Sequence, residues 1–134
     1  MIFALDTNII SYLLRPYQNQ ETVERFIAET RNNDYVIPPV CHYEILWHLL
    51  RKNATTQLMG FNEIYKKSSA TLSMNEAAFV KAAEIRAELE RTGNPIGDAD
   101  VFIAAYCIVN GYTLVTNNTK DFERIPGLEL VNWK

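Results

Sequence analysis

The chain has 134 residues, 48% hydrophobic and 22% charged, which suits one ordinary globular core and excludes a disordered composition. A net charge of −3 and a pI near 5.4 exclude a surface coated in nucleic-acid-binding charge, although a local basic patch is enough to steer phosphates into one groove. No apolar run approaches the roughly 20 residues of a membrane span, so a soluble, cytoplasmic protein with one domain over residues 1–134 is expected.

Ile2–Leu5 is an unbroken apolar run that stops at Asp6-Thr7-Asn8, the pattern of a short strand buried on both faces. It is too short and lacks the basic flank of an export signal. Ile9, Ile10, Leu13 and Leu14 then recur at helical spacing until Arg15-Pro16. A second helix is predicted from about Glu21 to Arg31, followed by turn residues and the brief strand Tyr35-Val36-Ile37. A third helix, Val40 to Lys52, is expected to bury Cys41, Ile45 and Leu49, with Leu46 and Leu50 as further candidates.

Thr55–Lys67 reads as a fourth helix and Ala70–Leu72 as a short strand. Glu76–Arg91 is a clear amphipathic helix, with Ala78, Ala82, Ile85 and Leu89 on one stripe and Asn75 as N-cap. Gly97-Asp98 introduces the helix Ala99–Val109, apolar nearly all round and so deeply packed. Thr113–Thr116 reads as an inner strand, Asp121-Phe122 as the opening of one helical turn, and Leu128–Val131 as a last strand. The five glycines read as turn residues. Strands alternating with helices predict an α/β fold, with a mainly parallel central sheet of about five strands and helices on both faces.

Functional residues of such sheets gather beyond the carboxyl ends of the strands. Asp6 follows the first strand and Thr116-Asn117-Asn118 follows a later one, so two distant segments are expected on one rim. A carboxylate directly after a buried strand must be solvated, paired or metal-bound, and Asp6 is also well suited to cap the next helix. Glu44 borders the buried stripe of its helix, where a solvated surface role is the alternative. Asp98 is placed as an N-cap, whereas Asp100 falls at the second residue of an otherwise apolar helix, which favours a functional role. Asp121 reads either as a cap for its short turn or as a fourth acid.

Acids gathered without bases must hold a metal or stay protonated, because adjacent like charges repel. His42 and His48 stand six apart, off one common helical face, and no ligating cysteine joins them, so zinc is not expected. Cys41 and Cys107 lie in apolar runs without CxxC spacing and read as buried thiols. Clustered carboxylates alone suit Mg²⁺, with Mn²⁺ as substitute. Arg51-Lys52 and Lys66-Lys67 give the region around the fourth helix a positive balance, read either as solvated surface or as a contact for RNA or an acidic partner.

With these residues in view, the chain resembles the PIN-domain ribonucleases and, within them, the VapC-type toxins of bacterial toxin–antitoxin pairs. The likeness runs the length of the chain. It passes from Leu5-Asp6-Thr7-Asn8 through Glu44 and Ile85-Arg86-Ala87-Glu88-Leu89 to Pro95-Ile96-Gly97 and Asp100. It closes on Leu114–Asn118 and on Asp121-Phe122 with Arg124–Leu128.

The resemblance implies a PIN-like three-layer fold, with Asp6, Glu44 and Asp100 as an acidic core and Asp121 as a looser addition. In some relatives the fourth acid falls where this chain has Asn118, which would then hold a metal-bound water. Asp98 falls where the motif is open. Thr7 and Thr116 are expected to orient the groups that hold the ion. The resemblance also implies cleavage of RNA, particularly initiator tRNA, a small antitoxin partner, a homodimer and a toxin–antitoxin hetero-oligomer. Two other classes compete: an aspartyl phosphohydrolase, which usually wants a second Asp where this chain has Asn8, and a catalytically silent PIN-like binding module.

Overall fold

The computed structural model describes residues 1–69 and 73–133. At its centre is β1 (Ile2–Leu5), whose Phe3, Ala4 and Leu5 are at most 4% exposed. Four parallel strands form the sheet in the order β2-β1-β3-β4, with β2 at Asp34–Val36, β3 at Thr113–Val115 and β4 at Glu129–Val131. Both inner strands, β1 and β3, are the two with unbroken apolar or threonine-edged runs, since a strand covered on each face has no solvated side to carry polar residues. A fifth strand was predicted over residues 70–72, which lie outside the described residues; among the described residues the sheet has four strands.

Helices flank this sheet. They are α1 (Thr7–Leu13), α2 (Gln20–Glu29), α3 (Pro39–Arg51), α4 (Thr55–Lys66), α5 (Glu76–Arg91), α6 (Asp98–Asn110) and the single turn α7 (Thr119–Phe122). The stripe predicted on α5 is buried at Ala78, Ala82, Ile85 and Leu89, and Asn75 caps it by accepting the Ala78 amide at 3.0 Å. On α6 the burial runs almost all round, through Val101 and Ile103 to Cys107, because it packs against α5 as well as the sheet. Gly111 ends it at φ 72°, a left-handed cap that a side chain with Cβ resists.

The described fold departs from the sequence reading in several places. On α3, Cys41, Ile45 and Leu49 are buried as expected, but Leu50 is 59% exposed because it falls outside that narrow stripe. Gly60 is a helical residue of α4 rather than a turn glycine, and a Cβ there would come within 3.3 Å of Leu14 Cδ2. Its lack of a side chain lets α4 approach α1 closely. Both cysteines are buried and free. No helix among the described residues is long and apolar enough to cross a membrane.

The strands run parallel, so their carboxyl ends share one rim. The Asp6 amide donates to the Val115 carbonyl at 3.0 Å, and the Thr116 amide to the Val131 carbonyl at 3.1 Å. These bonds continue the sheet ladder by one residue past β1 and β3. They bring Asp6 and Thr116, 110 residues apart, side by side.

Candidate active site

Asp6 lies at the centre of this rim, 6% exposed. It is the N-cap of α1 in extended conformation, and its Oδ1 accepts the Thr7 amide at 2.7 Å. Its Oδ2 accepts the Thr116 hydroxyl, also at 2.7 Å. Burial pushes its pKa up; the bonds from Thr116 and Thr7 oppose this, and the charge of Glu44 adds to it. A carboxylate held so firmly by two donors is fixed in orientation rather than free to turn toward water.

Glu44 sits one turn into α3, where the helix axis carries it over the start of α1. There its Oε1 accepts the Thr7 hydroxyl at 2.7 Å. Thr7 therefore binds two acids from separate segments, one through its backbone and one through its side chain. Asp100 enters from the first turn of α6. Its pKa is pushed up to about 6, by burial first and then by the charges of Asp6, Asp121 and Glu44. Asp121, on α7, accepts the Asn118 side-chain amide at 3.3 Å, and Arg124 approaches it at 3.9 Å. The Asn118 backbone amide donates to Thr116 Oγ1 at 3.0 Å, tying this loop to the Asp6 pair.

Four carboxylates from four segments thus share one electrostatic neighbourhood. Among the described residues Asp6, Glu44 and Asp100 have no ion-pair partner, and only Asp121 has a cation nearby. Among those same residues no three His, Cys, Asp or Glu side chains are grouped closely enough to cage an ion as they stand. The fit to a metal therefore rests on the chemistry of the donors. They are all oxygen, as hard divalent cations require, and the charges of Asp6, Asp121 and Glu44 add to the rise that burial causes in Asp100.

The PIN domain sequence pattern matches residues 3–128. The chain belongs to the PIN-domain family. Among its relatives, the ribonuclease VapC2 of Rickettsia felis is 32% identical over 99% of this chain and 98% of its own length. The tRNA(fMet)-specific endonuclease VapC of Salmonella typhimurium is 30% identical over 98% of this chain and 97% of its own. The crystal structure of VapBC2 from Rickettsia felis, bound to a DNA fragment from its promoter, superposes with a TM-score of 0.89 at 29% identity, covering 100% of both chains. Within the PIN family this is the VapC branch.

In this PIN domain Asp6, Glu44 and Asp121 lie near enough to Asp100 for their charges to act on it, and Thr7 and Thr116 contact Glu44 and Asp6. Asp98 does not cap α6. Gly97 is the N-cap, Asp98 is the first helical residue and Asp100 the third, and the Asp98 carboxylate pairs with Arg86 of α5. The shift by one residue follows from the extended backbone of Gly97 (ψ 153°), which ends the loop earlier than an aspartate cap would. The Asn118 side-chain amide donates to Asp121.

Two residues, Cys41 and Arg124, were not anticipated at the site. The Cys41 thiol points at Asp6 Oδ1 from 4.0 Å, and burial followed by the charge of Asp6 pushes its pKa well up. Arg124 could have been found, since it stands i+3 from Asp121 on the same turn. Asn117 directly follows Thr116, and both polar atoms of its amide are sealed from solvent with no hydrogen-bond partner among the described residues. The sequence places Asn117 on this rim beside Thr116 and Asn118, with ordinary turn material as the alternative.

Proposed function

We propose that this chain is the toxin of a toxin–antitoxin pair, an endoribonuclease that hydrolyses RNA phosphodiester bonds with a divalent metal, Mg²⁺ or Mn²⁺. The observation that carries the reading is Asp100, raised to about 6 by burial and by three other carboxylates, at a rim where, among the described residues, no basic side chain pairs with Asp6, Glu44 or Asp100. Such an arrangement is relieved by a small hard cation. Its relatives bear the names ribonuclease and tRNA(fMet)-specific endonuclease, which supports RNA as substrate and initiator tRNA as the first candidate.

Asp6 and Asp100 are the ligands of this reading, with Glu44 contributing directly or through water. A bound Mg²⁺ would stabilise charge on the phosphate oxygens and acidify the attacking water. The side chains of Glu44 and Asp100 would turn inward to meet it. Thr116 and Thr7 hold Asp6 at fixed orientation, and Thr7 steers Glu44. Asp121 adds a fourth negative group, kept near the others by Asn118. Catalysis then draws on positioning and charge rather than on a protein nucleophile.

A partner that covers the acids is expected, because an unrestrained ribonuclease harms its own host. The likeness to the VapBC2 complex supports an antitoxin as partner. A homodimer within the toxin–antitoxin assembly is our expectation from the family likeness. The phosphohydrolase reading is weaker, since Asn8, where it would want an acid, lies on the exposed side of α1.

Sequencing of RNA 5′ ends after brief expression in a bacterial host tests the function. New ends at a few defined sites in one RNA class, absent with Asp6→Asn, are expected. Identical end profiles for the two proteins would overturn the reading.

A further inference from the structure

We propose that the cleft between α1 and α3 is the track along which the RNA backbone leaves the acidic site, with Arg15 and Lys52 gripping phosphates beyond the one that is cut. This rests on the ribonuclease reading and adds to it the residues that bind substrate. The two helices meet at the Thr7–Glu44 hydrogen bond of 2.7 Å. From that point each carries a ladder of polar residues four apart: Thr7, Ser11 and Arg15 on α1 and its end, Glu44, His48 and Lys52 on α3 and its end.

Ser11, Arg15, His48, Lys52 and Gln57 line one cleft of about 270 Å³, floored by Ile45 and Leu49. Its lining contains no carboxylate. Each step of four helical residues advances about 6 Å, so Lys52, the C-cap of α3, lies roughly 12 Å along that helix from Glu44.

The charge pattern carries the argument. Most arginines of the chain sit beside acids, as Arg25, Arg86, Arg91 and Arg124 do. Among the described residues neither Arg15 nor Lys52 has an ion-pair partner. Arg15 turns only its Nε toward the Ser11 carbonyl, at 3.5 Å. Arg51 adds a third cation beside the cleft, its Nη2 3.4 Å from His48 Nδ1 and its guanidinium 4.8 Å above the Trp47 ring. What marks this cleft is that Arg15 and Lys52 share one lining without a carboxylate, with Arg51 beside it.

An acidic rim repels a polyanion, so the attraction that brings RNA to it must come from adjoining surface. A cleft that begins at Thr7 and Glu44 and ends in a guanidinium and an ammonium supplies it. Such contacts are with phosphate oxygens and are indifferent to base identity.

The test is RNA binding in EDTA, where cleavage is stopped, followed by fluorescence anisotropy of a labelled initiator tRNA transcript over a salt series. Arg15→Gln/Lys52→Gln is compared with the charge-matched Lys81→Gln/Arg91→Gln on α5. The cleft variant should lower the log–log salt slope by about two and weaken binding, while the α5 variant changes little. In Mg²⁺ the cleft variant should raise KM for cleavage and leave kcat unchanged. Equal behaviour of the two variants overturns the assignment while leaving the ribonuclease reading intact. So does an unchanged RNA slope accompanied by lost binding of poly-glutamate, which would give the cleft to an acidic protein segment. If the unsubstituted protein neither binds nor cuts RNA, the ribonuclease reading falls and the cleft assignment with it.

Discussion

The Thr116 hydroxyl, at the carboxyl end of β3, donates to the Asp6 carboxylate at the end of β1 over 2.7 Å, joining residues 110 apart in sequence. The bond exists because β1 and β3 are parallel neighbours, which sets their final residues on the same rim. It also opposes the rise in the Asp6 pKa that burial causes, and so favours the ionised form a metal needs.

Thr116→Val keeps the shape and removes the donor. RNA cleavage should fall about 10–100-fold, the usual loss when a group orienting a metal ligand is removed. Thr116→Ser should restore most of the rate. Measured kcat for both variants, with circular dichroism to confirm folding, checks this; equal losses in the two would show that the hydroxyl does not matter.

Asp100 makes stability depend on pH. Its folded-state pKa, about 6, lies above the ordinary 3.8, so the folded chain holds this proton more tightly than the unfolded chain does. Ionising Asp100 therefore costs stability, fully above pH 6, and the cost disappears as pH falls through 6 toward 3.8. Asp6 shifts in the same direction. The full Asp100 shift corresponds to about 3 kcal/mol, and screening of this partly exposed group reduces it to about 1–2 kcal/mol. In chelator, Tm should rise on acidification from pH 7.5 to 5.5. Asp100→Asn should be more stable than the parent at pH 7.5 and show a flatter profile. A parent protein whose Tm falls over that range would contradict the electrostatic account.

Asp121 is held more loosely than the other acids. Its side chain is 39% exposed and it shares its charge with Arg124 at 3.9 Å. Asp121→Asn should therefore cost about tenfold in kcat/KM. A loss as deep as that of Asp6→Asn would make it a ligand of equal standing.

Much of the site was legible in the sequence because each acid stands next to a signal of local structure. Asp6 ends an apolar run, and Asp100 interrupts an apolar helix near its start. The stripe on α5 and its Asn75 cap follow from periodicity alone. What could not be read depends on contacts between distant segments. The Thr7 bond to Glu44 requires α1 and α3 to meet, and no local pattern encodes their crossing. Asp98 was misplaced by one position because Gly and Asp both serve as N-caps, and only the backbone of Gly97 decides between them. Gly60 was read as a turn because its reason for being glycine is Leu14 on another helix.

The central claim is that Asp6, Glu44 and Asp100 hold a divalent ion that cuts RNA. Its most direct measurement is cleavage of a labelled initiator tRNA transcript by chelated, purified protein with and without added Mg²⁺, beside Asp100→Asn. Cleavage should appear only with Mg²⁺, and the variant should be slower by about a thousandfold, equivalent to several kcal/mol of lost charge stabilisation. Cleavage that persists in chelator, or at full rate in Asp100→Asn, would contradict it.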